Sequence, residues 1–349
     1  MKKLNLLFLT VALFFGISTA YSQDRYEVLV DSYGEYNMSG KTYALIPSSD
    51  RIDSNDLEFK EFSIYIKKIL AAAGAREAIV PSIADLSIIM HYEITDKSYV
   101  ERVSVPIFGN TGVKSVETTT TTNGSTVKST TNVTPTRGIV GYREVVRDVE
   151  NFLRVINLYA YENKVTDKPV MLWKTCITSD GYKNNLRDVF PAMSYIALDR
   201  IAVSTKVDQW LKGSNTSFQL FTNLKINGDN VFTAPTIDFF NADEKLRIVA
   251  VERKPNETIV TFCKLRDLPS VSISSKMYLE FDNNKVYPVS AQNIKFDKVV
   301  KGDNTIHLFS IHYPAIPKNV TLINISEEAD EKIKQVQKRK YWKGIHLVK

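Results

Sequence analysis

The spacing of apolar residues changes along the chain, and each change predicts an element. Thr42-Tyr43-Ala44-Leu45-Ile46 reads as a strand, stopped by Pro47. Phe62, Tyr65, Ile66, Ile69, Leu70 and Ala73 then recur at helical spacing, with Gly74 as the stop. Asn55 and Glu58 stand at capping-box separation ahead of that helix. Asp85 to Ile94 reads as the next strand, so the three segments form a β-α-β unit with the usual right-handed crossover. Leu153–Tyr161 and Val170–Thr175 read as two further strands around a turn at Asp167-Lys168-Pro169. A second amphipathic helix is expected from near Pro191 to Gly213, carrying Met193, Ile196, Leu198, Val203, Val207, Trp210 and Leu211. The pattern predicts an α+β N-terminal domain, with two helices on one mixed sheet.

Between those strands the apolar pattern stops. Val113–Thr136 holds Thr118-Thr119-Thr120-Thr121-Thr122, then Asn123-Gly124, then Ser125-Thr126-Val127-Lys128-Ser129-Thr130-Thr131. Asn-Gly between two β-branched runs is a strong hairpin signal. A projecting β-hairpin, polar on both faces, is one reading of 113–136. A disordered low-complexity insert is the other.

After a linker with early strands at 214–240, short apolar runs recur between turn residues. These are Leu246–Glu252, Thr258–Cys263, Met277–Phe281, Lys285–Val289, Thr305–His312 and Val320–Ile325. The absence of a long helical pattern predicts an all-β sandwich over 241–349. The apolar ending Tyr341–Leu347 is expected to dock as a last strand. The domain plan is thus 1–22, 23–213 with the hairpin insert, 214–240 and 241–349.

The first segment changes the picture most. Met1-Lys2-Lys3 precedes an apolar run from Leu4 to Ile17, and Ala20 and Ser22 satisfy the small-x-small rule before Gln23. This predicts a signal peptide cleaved near Ser22/Gln23 and a periplasmic or secreted location. The run falls short of the roughly 20 residues that span a bilayer, so no transmembrane segment is expected in the mature chain. The net charge of +6 is mild, and export argues against nucleic acid as a partner. With two cysteines, Cys176 and Cys263, the chain is not a disulfide-built fold. Both sit in apolar strand-like runs and read as small buried residues.

Candidate chemistry is thin. The four histidines are His91, His307, His312 and His346. None has metal-ligand spacing with another, and the five-residue step from His307 to His312 puts them on opposite faces of a strand. No nucleophile elbow, zinc-protease motif or phosphate-binding glycine loop occurs. Asp238 with Asp243-Glu244, and Glu327-Glu328 with Asp330-Glu331, read as solvated charge. Asp85, opening an apolar strand, reads as a structural cap. The basic-aromatic stretch Lys332–Trp342 reads as a solvated turn or helix. Trp173, Trp210 and Trp342 are candidate stacking residues for a glycan, though each lies in an apolar pattern. No catalytic, cofactor-binding or metal-binding residues are assigned, and no cofactor is expected.

Two resemblances add to this. Residues 40–212 resemble an uncharacterised domain family of Gram-negative envelope lipoproteins. The matching features are Lys41-Thr42-Tyr43-Ala44, Gly74, Ala84-Asp85-Leu86, Leu172-Trp173-Lys174 and the Phe190-Pro191 helix. The lipid-bearing Cys of that family has no counterpart near Gln23. Residues 241–349 resemble an all-β accessory module of exported bacterial proteins. The matching features there are Val249-Ala250-Val251-Glu252-Arg253, Met277-Tyr278-Leu279 and Trp342-x-Gly344-Ile345-His346-Leu347. Neither resemblance supplies an activity; the two interaction-type domains, the Thr-rich hairpin and the lack of a catalytic set lead us to expect a non-enzymatic envelope protein that binds another protein or an envelope component. A small-ligand or glycan binder is the alternative, and a hydrolase with an unrecognised site a more distant one.

Overall fold

In Arg25–Tyr33 Val28, Val30 and Ser32 are buried between half-exposed neighbours, and this period-two segment is the first strand, β1. The computed structural model describes residues 25–49, 54–123, 126–164, 169–226, 228–301, 306–328 and 340–348. The expected signal peptide, the Gly124-Ser125 pair, Asp167-Lys168, Asp330-Glu331 and Lys332–Arg339 lie outside the described residues. The chain forms two units. One comprises Met1–Ile94, Arg154–Asp180 and Asn185–Lys349; the other comprises Thr95–Leu153 with Gly181–Asn184.

In the first unit β2 (Thr42–Pro47) leads into α1 (Leu57–Ala72), β3 (Arg76–Glu77) and β4 (Leu86–Asp96). Strands β2 and β4 pair in parallel, as the β-α-β pattern predicted. The N-cap of α1 is Asp56 rather than Asn55; its carboxylate accepts from the Glu58 and Phe59 amides at 2.9 and 3.0 Å. Gly74 ends the helix with φ +86°, a conformation that suits glycine.

The chain next forms β5 (Tyr99–Asn123) and β6 (Thr126–Val149), and returns through β7 (Phe152–Glu162), β8 (Met171–Gly181), α2 (Leu186–Ile196), β9 (Thr205–Lys212) and α3 (Thr216–Asn223). Seven strands make one mixed sheet in the order β3-β2-β4-β7-β8-β1-β9. The second helix is shorter than expected. It begins before Pro191, capped by Asn185, and ends at Ile196. Val207, Trp210 and Leu211 are instead on β9, antiparallel to β1, with Trp210 opposite Glu27. Val207 and Leu211 are four apart, which fits a helix. Lys206, Asp208, Trp210 and Lys212 alternate as exposed positions, which fits an edge strand, and tertiary pairing decides for the strand.

The rest of the unit is β. It comprises β10 (Val231–Thr233), β11 (Ile237–Phe240), β12 (Leu246–Arg253), β13 (Glu257–Lys264), β14 (Ser270–Val271), β15 (Met277–Phe281) and β16 (Asn284–Val286). Then come β17 (Ser290–Gln292), β18 (Val300–Lys301), β19 (His307–Pro314), β20 (Leu322–Glu327) and β21 (Tyr341–His346). Two five-stranded sheets result, β10-β12-β13-β19-β17 and β11-β21-β20-β15-β16. Phe262 and Phe309 from one share a core with Ile323, Ile325, Trp342 and Ile345 from the other. Asp282 and Asn283, with φ of 44° and 63°, close the β15–β16 hairpin.

A larger core links the seven-stranded sheet and helices to the β region. Phe62 stacks on Phe190 at 4.4 Å, and Tyr195 lies 5.6 Å from both Phe218 and Phe221. Val249, Cys263, Ile306 and Leu308 belong to that same cluster. Cys263 is buried and Cys176 half-buried; both are free thiols, and burial raises the pKa of each.

The second unit is a β-ribbon. β5 and β6 pair antiparallel from Tyr99–Val149 to Asn123–Thr126, well beyond the 113–136 span read from the threonine tract. Strands of 25 and 24 residues give a ribbon about 80 Å long at ~3.3 Å per residue. Register shifts at Ile107/Phe108, Asn110/Gly112 and Val113/Ser115 mark bulges.

Candidate functional site

The histidines are dispersed, each with its own neighbour. His91 Nδ1 lies 3.0 Å from Ser48 Oγ, His312 Nδ1 2.7 Å from Glu257 Oε2, and His346 Nε2 2.9 Å from Asp238 Oδ1. His307 Nδ1 lies 3.4 Å from Ser217 Oγ, and burial lowers the pKa of its ring. The His312 and Lys254 hydrogen bonds hold the Glu257 carboxyl below its ordinary range. Among the described residues no group of three or more His, Cys, Asp or Glu is arranged to hold a metal.

Among the candidate carboxylates, Asp85, Asp238, Asp243, Glu327 and Glu328 are engaged in local structure. Asp85 accepts from Thr42 N at 2.8 Å and Thr42 Oγ1 at 2.9 Å, which ties β2 to the start of β4 and lowers its pKa. Asp243 accepts from the Lys245 amide at 2.9 Å. Glu327 accepts from the Ser274 and Lys340 amides, and Glu328 from the Tyr287 hydroxyl. Trp173 and Trp342 are core residues at 1% and 2% exposure, whereas Trp210 is 60% exposed. The three tryptophans therefore do not form one stacking surface.

Two other features stand out. The first is the ribbon. Val100, Phe108, Tyr142 and Val146 on it are 60–71% exposed, and its sheet has just two strands. Near its base Arg147 Nε and Nη2 donate to Glu101 Oε2 at 2.8 and 2.6 Å. Such a ribbon is marginally stable by itself, since it buries little apolar area. Its two long edges present backbone N–H and C=O groups that a further strand could take.

The second is a cleft of about 680 Å³ in the first unit. Its walls are β3 with Ala78, Ile79 and Ile83 on one side, and Ile226, Gly228 and Val231–Thr236, which include β10, on the other. Tyr43, Ile226, Val231, Phe232 and Val348 make it largely apolar. Lys67 Nζ and Glu77 Oε1 pair at 2.7 Å at its side, and the Arg76 guanidinium reaches Thr236 Oγ1 across it. A further cavity of about 340 Å³ shares Arg76, Ala234, Pro235 and Thr236 with it. Among the described residues the cleft lining contains no His, Cys or Ser, and the one carboxylate side chain among them, Glu77, pairs with Lys67.

Sequence reasoning placed the cleft's far wall in a linker. The signals were short: Asn215 capping Phe218 N at 3.0 Å opens α3, and Val231-Phe232-Thr233 is a three-residue β run.

No protein-family model matches the chain, and no curated protein does. Among solved structures, one with detectable similarity is a PDZ domain protein from Parabacteroides distasonis, at 14% identity and a TM-score of 0.26. That match covers 58% of this chain and 42% of the other, so the chain spans less than half of that protein's length.

Proposed function

We propose that this is an exported, non-enzymatic envelope protein that binds another protein or an envelope component through its β-ribbon. The observation that carries the reading is the 25- and 24-residue ribbon with exposed Val100, Phe108, Tyr142 and Val146. Large apolar side chains on a two-stranded ribbon cost solvation and return little packing, so they are best accounted for by a partner that covers them. The Met1–Ser22 pattern supports export.

Replacing both Phe108 and Tyr142 by Ser tests the reading. Both side chains are largely exposed, so the thermal melt should stay unchanged. Chemical cross-linking in the native envelope should recover a partner with the parent chain and lose it with the double variant. Equal recovery from both chains would count against the ribbon.

A further inference from the structure

We infer that the cavity of about 340 Å³ beside the cleft is a binding site for a small organic acid, held by its carboxylate and by an apolar body. Two guanidinium groups share the cavity wall. Arg76 stands two residues after the Gly74 helix stop, and Arg247 is the second residue of β12. Among the described residues neither forms a salt bridge. Arg76 donates from Nη1 to the Thr236 hydroxyl. Arg247 donates from Nε to Glu244 O at 3.0 Å and from Nη1 to Ala72 O at 3.2 Å. The Nη2 group of each is left without an acceptor among the described residues.

The lining sets these two cations against one carboxylate side chain, Glu244, so one positive charge is in surplus. Burial lowers the pKa of Arg247 further than its neighbours raise it. An anion at this wall supplies the charge partner that Arg247 lacks. A carboxylate brings a single negative charge and two oxygens that accept parallel guanidinium N–H groups. A phosphate monoester, at about −1.5 to −2 near neutral pH, exceeds the surplus.

The remaining walls set the rest of the ligand. Ile237, Phe240, Leu246, Ile248 and Trp342 give the cavity apolar surface, and Ser39 adds a hydroxyl. A bare inorganic anion would leave that apolar surface uncovered. At ~30 Å³ for each non-hydrogen atom, the share of one molecule in liquid water, the volume takes about ten such atoms. That is the size of a medium-chain or phenyl-substituted carboxylic acid. The proposal concerns different residues from the ribbon and does not depend on it.

The test titrates the purified chain, by ligand-observed NMR, with a panel of carboxylates running from hexanoate to decanoate and from phenylacetate to phenylbutanoate. We expect saturable binding of at least one member, and binding at least about tenfold weaker for its uncharged amide and for Arg76→Gln. Phe240→Ser, on the apolar wall, should also weaken it, whereas Ile79→Asp, which lines the larger cleft instead, should leave it at the parent value. Arg76, Phe240 and Ile79 are all exposed, so the variants should keep the parent melting temperature. No binding by any member of the panel would overturn the proposal. So would equal binding of acid and amide, binding unchanged in Arg76→Gln, or a loss with Ile79→Asp but not with Phe240→Ser.

Discussion

Arg266 holds Asp199 through two contacts: its amide donates to Oδ2 at 3.1 Å and its Nε to Oδ1 at 2.8 Å. The same guanidinium donates to Gln209 Oε1 at 2.7 Å and to Ile196 O at 3.0 Å. One arginine after β13 thus fastens the end of α2 and the edge strand β9. The pair is nearly dry, with side chains 10% and 6% exposed. Removing Asp199 leaves Arg266 and the neighbouring Arg200 without their carboxylate. Asp199→Ala should therefore lose about 3–5 kcal/mol in urea unfolding. A loss below about 1 kcal/mol would show that the network contributes little.

Lys68 gives a pH signature. Its ammonium is buried and donates to Phe221 O at 2.9 Å and Thr222 O at 2.8 Å, at the end of α3. Burial lowers its pKa from 10.5 to about 8. Below about pH 8 both folded and unfolded chains carry the proton, and the folded chain bears the full desolvation cost. Between about 8 and 10.5 the folded chain releases the proton first, so the unfolded chain binds more protons and stability rises with pH. Unfolding free energies from pH 7 to 10.5 should show this rise in the parent minus Lys68→Met difference. A flat difference would contradict it.

Gly344 is fixed by space and by backbone. Its φ is +67°, and a Cβ there would overlap the Asp238 carboxylate. Gly344→Ala should cost about 1–3 kcal/mol from the backbone alone, plus the clash. Adding Asp238→Ala should recover part of the steric cost in a thermal melt, since it removes the carboxylate but leaves the Asp238 Cβ 2.8 Å from the added Cβ. No recovery would show that the carboxylate overlap contributes nothing.

The tryptophans separate core from surface. Trp173→Ala should lose about 3–5 kcal/mol, as expected for a buried aromatic. Trp210→Ala should stay within about 0.5 kcal/mol of the parent. Binding of a soluble glycan that is lost with Trp210→Ala would favour the alternative reading of the chain as a glycan binder.

Much of the architecture was legible because its periodicity is strong. Phe62 to Ala73 could be little but a helix, and the apolar runs Met277–Phe281 and Lys285–Val289 leave Asp282-Asn283 between them, where the turn forms. Val207 and Leu211 on β9 satisfy the helical and the strand period at once, so spacing alone cannot choose between them. In β1 the signal is the plain alternation of Val28, Val30 and Ser32. The ribbon's extent was hidden because Tyr99–Gly112 lacks the threonine signature that marks its far half. The cleft could not be read at all. Its walls, around Arg76–Ala78 and Val231–Thr236, are far apart in sequence, so no local pattern announces it.

The ribbon as a docking element is tested most directly by hydrogen–deuterium exchange followed by mass spectrometry, with the purified chain measured alone and with solubilised envelope proteins. Exchange should slow across Tyr99–Gly112 and Gly138–Val149 on addition, with β12 and β13 unchanged. Identical exchange of the ribbon in both samples would contradict it.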